Sequence, residues 1–227
     1  IGEMDIFYGY ANMYKDNTFF WKGKPLFVNF NSPNNYGWQD PKGRFTMRPA
    51  AGHTSEGKGY IQKYGLDKIG MYGWVFDYQY NTSEVYGISP GWSRSHNGLS
   101  SGSPPQSREQ GKRYQEAWLA AVKRKPEMIV VASWNDHAEE TGIEAVQLLE
   151  PIDGRGQEDP YYYQNITEGY LALKTGYLDG WYYRAESQTK TYQYTGGKLK
   201  AVASAPTKAA IIVVPDDYYN WAGVPRV

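Results

Sequence analysis

The stretch Ala132-Ser133-Trp134-Asn135-Asp136-His137-Ala138-Glu139-Glu140-Thr141-Gly142-Ile143-Glu144 concentrates groups that move protons. Four carboxylates (Asp136, Glu139, Glu140 and Glu144) and one histidine fall within nine residues, just after the apolar run Met128-Ile129-Val130-Val131. A strand end is rigid, which suits acid/base groups that must be held to fractions of an ångström. Two carboxyl groups flanking a glycosidic bond are the usual equipment for cleaving it, one keeping a proton and the other ionised. The negative field of neighbouring carboxylates helps one member hold its proton. The plain alternative is an acidic loop that caps a helix or pairs with Arg155.

Other residues with chemical potential are few. Cysteine is absent, which removes thiolate zinc sites, disulfides and thiol catalysis together. The three histidines are His53, His96 and His137. One histidine beside Asp136 is thin support for a metal ligand; a sugar-contacting or ordinary loop role fits better. His96 follows Pro90-Gly91-Trp92-Ser93-Arg94-Ser95, a second loop expected at a strand end. Asp77, in Trp74-Val75-Phe76-Asp77-Tyr78, is either a third strand-end carboxylate or a buried structural one. Trp38, Trp74, Trp92 and Trp134 are stacking platforms for sugar rings or core residues. The run Gly52 to Gly59 nearly matches a phosphate loop, but Gly59 stands where Ser or Thr must hold magnesium. Asn81-Thr82-Ser83 and Asn165-Ile166-Thr167 match glycosylation sequons, a pattern common by chance.

Positioning these groups requires an α/β frame. Ser107 followed by Gln110 reads as a capping box. Tyr114, Ala117, Trp118, Ala121 and Val122 recur at helical spacing, Lys123-Arg124-Lys125 suit a helix C-terminus, and Pro126 ends the helix. The continuous apolar run from Met128 then predicts a parallel strand covered on both faces. Asp159-Pro160 marks a further helix start, with Tyr163, Ile166, Tyr170 and Leu173 on one face and Gly176 at its stop. Lys24 to Phe30, Met71 to Tyr78 and Val85 to Ser89 are further strand candidates. Near the C-terminus, Thr189–Tyr194, Gly196-Gly197 and Lys198–Ala203 predict a hairpin, followed by a strand over Ala209–Val214.

Composition narrows the partners. The 227 residues hold 24 basic and 24 acidic side chains, so the formal charge is zero and a nucleic-acid partner is not expected. The 22 Tyr and 8 Trp supply enough apolar surface for a core, which excludes a disordered chain. No apolar run approaches the ~18 residues of a membrane span. Ile1 has no charged or apolar leader behind it, so the expectation is a processed product or a piece of a longer chain.

Ser133-Trp134-Asn135-Asp136-x-x-Glu139-x-Thr141-x-Ile143-Glu144 resembles the Ser-(Trp/Phe)-Asn-Glu-x-x-Glu-Gly-Thr-x-Ile-Glu-Pro signature of glycoside hydrolase family 99 and its family 71-like relatives. Ser89-Pro90-Gly91-Trp92, Arg108-x-x-Gly111-x-x-Tyr114-x-x-x-Trp118 and Gly23-Lys24-Pro25-Leu26 are similar to upstream segments of that family, so the resemblance covers roughly residues 20 to 175. It implies a (β/α)8 barrel with the signature at one of the last strands. In that family the first signature Glu is thought to deprotonate the sugar 2-hydroxyl at an α-mannosidic bond, and the second is the general acid/base. Carried over by position, Asp136 is the 2-hydroxyl base and Glu139 the acid/base. The departures are Asp136 for Glu, His137-Ala138 for the usual Trp-His pair, Glu140 for Gly and Ala145 for Pro.

The resulting expectation is an α/β chain forming the C-terminal half of a (β/α)8 TIM-type barrel over residues 1–178, followed by a small antiparallel β appendage over 179–227. The predicted activity is hydrolysis of an α-linked, mannose-containing glycan by Asp136 and Glu139. Trp134, Asn135, His137, Glu144, Trp92, His96, Asp77 and Tyr78 are the expected substrate contacts. No metal or cofactor is expected. The expected partners are a carbohydrate and an N-terminal continuation or associated chain completing the barrel, in a periplasmic, cell-surface or secreted setting. The competing expectations are a sugar-binding barrel without turnover and a structural or assembly protein.

Overall fold

The computed structural model describes residues 2–30, 40–50, 72, 82–94, 105–145, 159–206 and 209–221. The chain resolves into two compact units, Ile1–Gly87 with Pro126–Val131, and Ile88–Lys125 with Ala132–Val227.

In the first unit, helix α1 (Glu3–Met13) precedes a three-stranded sheet of β1 (Phe20–Trp21), β2 (Lys24–Phe30) and β3 (Thr46–Ala50). The β1–β2 pair is antiparallel and closes through Lys22-Gly23, whereas β2 and β3 run parallel, with Leu26 opposite Thr46 and Phe30 opposite Ala50. Met4 on α1 packs with Phe45 and Met47, and Tyr8, Ala11 and Phe27 close over them. The rings meet as tilted or edge-on pairs, Phe27 and Phe45 at 5.5 Å and Tyr8 and Phe45 at 5.7 Å, the geometry their quadrupoles favour.

Among the described residues two further strands form a separate pair, β4 (Val85–Ile88) and β5 (Met128–Val131). Met128 N–H donates to the Glu84 carbonyl and Ala132 N–H to the Ile88 carbonyl, both at 2.9 Å. The constant offset between partners means that the strands run in the same direction. All of β4 is buried, as its apolar sequence predicts, but β5 is only half-buried along its length rather than covered on both faces. Among the described residues β2–β3 and β4–β5 belong to separate sheets, so a continuous barrel wall is not among the described elements. The strand expected over Met71–Tyr78 lies outside the described residues except for Tyr72.

The second unit is built on two helices, α2 (Lys112–Arg124) and α3 (Tyr162–Ala172). The faces read from periodicity are the faces buried: Tyr114, Ala117, Trp118 and Ala121 on α2, and Tyr163, Ile166 and Tyr170 on α3. Tyr114 meets Tyr163 edge-on at 5.6 Å, and Trp118 stacks on Tyr170 at 5.6 Å. Helix α3 is then tied to a strand by Tyr170, whose hydroxyl donates to the Val213 carbonyl at 2.8 Å.

The start of α2 differs from the capping box expected at Ser107 and Gln110. Ser107 Oγ accepts from Glu109 N–H at 3.1 Å, and a single 3-10 turn over Glu109–Gly111 delays the α-helix to Lys112. Gly111 takes φ +85°, and a Cβ there would sit 2.4 Å from the Tyr162 ring. Gly111→Ala therefore combines a left-handed backbone with a side-chain clash, and is expected to lower stability by about 1–3 kcal/mol in urea unfolding. Likewise Asp159 acts just before α3: its carboxylate accepts from Tyr161 N–H at 3.0 Å, and the N-cap position is Tyr161.

The C-terminal strands β6 (Tyr182–Ala185), β7 (Thr191–Thr195), β8 (Lys198–Val202) and β9 (Ile211–Val214) form one sheet in the order β8-β7-β6-β9, followed by the short helix α4 (Asp216–Trp221). The β7–β8 hairpin has the expected register, with Thr195 opposite Lys198 across Gly196-Gly197, both at positive φ. The expectation of a purely antiparallel appendage needs correction: β9 pairs with β6 in parallel, Tyr182 opposite Ile211. The physical reason is that β9 packs on α2 and α3 with Ile212 and Val214 fully buried, so it returns to the sheet edge under the helices instead of extending the hairpin.

Candidate active site

The residues after β4 and those after β5 meet at the carboxyl ends of two adjacent parallel strands. Ser93 N–H donates to the Glu139 carbonyl at 3.0 Å, joining the two loops through their backbones. The loop 132–144 folds on its own polar groups. Ser133 Oγ bonds Thr141 Oγ1 at 2.8 Å and accepts from Asp136 N–H at 2.9 Å, while Ile143 and Glu144 N–H both return to the Trp134 carbonyl. The peptide between Ala132 and Ser133 is cis, and Glu140 has a positive φ of 53°.

Arg108 anchors the far limb of this loop. It is 3% exposed, donates through Nη2 to the carbonyls of Glu140 and Gly142 at 2.8 Å each, and lies over the Tyr163 ring at 4.6 Å. Among the described residues its buried Nε has no hydrogen-bond partner, so the two Nη2 bonds carry the anchoring, and an apolar side chain in its place removes the donor from both carbonyls. Arg108→Met is expected to cost about 2–3 kcal/mol in thermal or urea unfolding, with the loss concentrated in loop 132–144 on hydrogen exchange.

Glu139 is held through both of its carboxylate oxygens. Its Oε1 accepts from Arg94 Nε at 2.9 Å and also from Arg94 Nη2, and its Oε2 accepts from the Trp92 indole N–H at 3.2 Å. Its side chain is 16% exposed against 42% for Arg94. Asp136 Oδ1 accepts from Glu139 N–H at 2.9 Å, so the two candidate catalytic residues belong to one tight turn. His137 Nε2 lies 3.2 Å from Glu144 Oε2, a half-exposed pair. Trp134 presents 55% of its surface, and Asn135 is exposed, its carbonyl accepting from His137 N–H.

The structure thus brings together Asp136, Glu139 and Trp92, and joins His137 to Glu144. His96, Asp77 and Tyr78 lie outside the described residues, as do Trp38, Trp74 and Arg155. Arg94 carries no role in the sequence reading, and Arg108 enters it only as the first residue of a segment similar to family 99, without a site role. Arg94 could have been found from its place two residues after Trp92, in a loop already expected beside the carboxylates. Among the described residues there is no group of three or more His, Asp and Glu able to hold a metal ion.

A second polar cluster, also unanticipated, sits in the first unit. Glu84, 6% exposed, accepts from Lys22 Nζ at 2.5 Å, from Tyr72 hydroxyl at 2.9 Å and from Arg48 Nε. Burial alone would raise its pKa, but the hydrogen bonds from Arg48, Lys22 and Tyr72 outweigh it and hold the carboxyl at about 2. The Tyr72 phenol is pushed up by its burial and by the Glu84 charge. A group held in its ionised form at the amino end of β4 has no proton to give near neutrality, so Glu84 is not a general acid there.

The fold is mixed α/β, of the kind found in glycoside hydrolase family 99. The GH99 endo-alpha-mannosidase from Bacteroides thetaiotaomicron superposes with a TM-score of 0.52 at 17% identity, covering 74% of this chain and 60% of the enzyme. A structure of that endo-alpha-mannosidase with bis-tris-propane gives 0.47 at 19% identity, over 70% of this chain and 61% of that one. The chain therefore spans less than two thirds of the enzyme's length. No family model and no curated protein matches the sequence. Among the described residues no helix is long and apolar enough to cross a membrane.

Proposed function

We propose that this chain carries the active-site loops of a glycoside hydrolase acting on an α-linked, mannose-containing glycan. The observation that supports this most is the meeting of the Trp92-Arg94 and Asp136-Glu139 loops at the carboxyl ends of β4 and β5, where α/β folds place their chemistry. In this reading Asp136 takes the proton of the sugar 2-hydroxyl while its oxygen attacks C1 and Glu139 protonates the departing glycosidic oxygen. Water then attacks C1 and gives its proton to Glu139, while the C1–O2 bond of the anhydro-sugar breaks and Asp136 returns its proton to O2, which restores both carboxyl groups and the 2-hydroxyl. Trp134, exposed beside the pair, is the stacking platform. The catalytic portion is read as residues 1–178 and the C-terminal half of a (β/α)8 barrel. Residues 179–227 are the appendage, and a polymeric substrate places the protein outside the cytoplasm.

The test is release of reducing ends from α-mannan and a panel of α-linked oligosaccharides. Turnover that depends on Asp136 and Glu139 supports the reading; none on any α-linked glycan defeats it. A second reading, a sugar-binding protein without turnover, is favoured by two observations: Glu139 is already held by Arg94 and Trp92, and the first signature carboxylate is an aspartate one methylene short. Glycan binding without hydrolysis, unaffected by Asp136→Asn, would support it.

A further inference from the structure

Resting on the glycosidase reading, we propose that Arg94 is a specificity residue that receives an anionic group of the glycan, a uronate carboxylate or a sulfate ester, and in doing so releases Glu139. Arg94 gives two N–H groups to one oxygen of Glu139, so the two partners are engaged with each other. An acid/base group must present a carboxyl oxygen to the glycosidic oxygen, and Oε1 is occupied by the guanidinium. The exchange is geometrically open because the two partners differ in access: Arg94 is 42% exposed and Glu139 only 16%.

An ion pair so close to solvent contributes little net stability, so a competing anion can displace it. The guanidinium fork matches planar or tetrahedral oxyanions better than a neutral sugar hydroxyl. When Arg94 turns to such a group, Glu139 does not lose its aim. Trp92 still donates to Oε2, and the Ser93 N–H still holds the Glu139 backbone. A neutral glycan has nothing to offer Arg94 in exchange, and meets a site in which the acid/base is still paired.

The experiment compares three substrates of one length: neutral α-mannan oligosaccharides, the same oligosaccharides sulfated, and α-linked oligosaccharides containing uronic acid. Wild type is expected to favour at least one anionic substrate over the neutral one about tenfold or more in kcat/KM, the gain weakening at high salt. Arg94→Gln should abolish that preference and Arg94→Lys restore part of it. Whichever of the two anions carries the preference identifies the source of the charge. Equal hydrolysis of neutral and anionic substrates would overturn the proposal and leave the glycosidase reading standing. Should no substrate be cleaved, calorimetric binding decides: anionic glycan bound by wild type and not by Arg94→Gln keeps the Arg94 assignment while the hydrolase reading fails, and no such binding ends both.

Discussion

Glu139→Gln is expected to lower turnover on the preferred α-linked glycan by about 10²–10⁴-fold, the usual contribution of a general acid/base group. Glutamine keeps the size and still accepts the Trp92 indole hydrogen bond, but it carries no transferable proton. The fold should survive, because Arg94, with 42% of its side chain exposed, can rehydrate once the pair is broken. Loss of activity at unchanged melting temperature therefore reports chemistry and not unfolding. Asp136→Asn should fall by a similar factor, and its amide can donate to, or accept from, the same turn. The double variant should lose little more than either single one, since groups that serve one step act as a unit. Full activity in both single variants would remove Asp136 and Glu139 from the reaction.

Glu84→Gln is expected to cost about 3–5 kcal/mol of unfolding free energy, the largest effect on stability among these predictions. The carboxylate is the shared counter-charge of Arg48 and Lys22; the amide removes it from both, leaving Lys22 the more distant Glu127 at 3.9 Å. Lys22, 47% exposed in its side chain, can rehydrate; Arg48 at 11% cannot, so it bears most of the penalty. Replacing Glu84 and Arg48 together by apolar residues should be less damaging than Glu84→Gln alone. The pH dependence has a definite sign. The folded carboxyl titrates at about 2, below the ordinary 4.5, because Arg48, Lys22 and Tyr72 together outweigh the opposing effect of burial. The unfolded state thus binds a proton first as pH falls. The stabilisation is complete above about 4.5 and disappears as pH drops toward 2, and the Glu84→Gln variant should show a flatter profile across that window.

Much of the frame is local and was legible. Tyr114, Trp118, Ile166 and Tyr170 repeat at helical spacing because each helix buries one stripe, and the stripe is written in consecutive turns. Gly196-Gly197 between alternating segments specifies a hairpin, because a two-residue turn matching strand twist needs positive φ at both positions. The carboxylate loop after an apolar strand was legible as a signature, and the family 99 fold it implied is matched by the fold of a GH99 endo-alpha-mannosidase. Helix starts were placed less well. Ser107 and Asp159 both bond backbone N–H groups, but one turn ahead of the helix, since Gly111 and Pro160 allow the chain a preliminary turn.

By itself the sequence determined the two helix faces, the hairpin and the identity of the acidic loop, all of which depend on neighbours a few residues apart. Tertiary structure alone decided that β9 joins β6 in parallel, that Glu84 meets Lys22 and Arg48 across 62 and 36 positions, and that Arg94 closes on Glu139 across 45. Charges attract without any sequence spacing to announce them, so which arginine reaches which carboxylate is settled by how the strands carrying them are laid side by side.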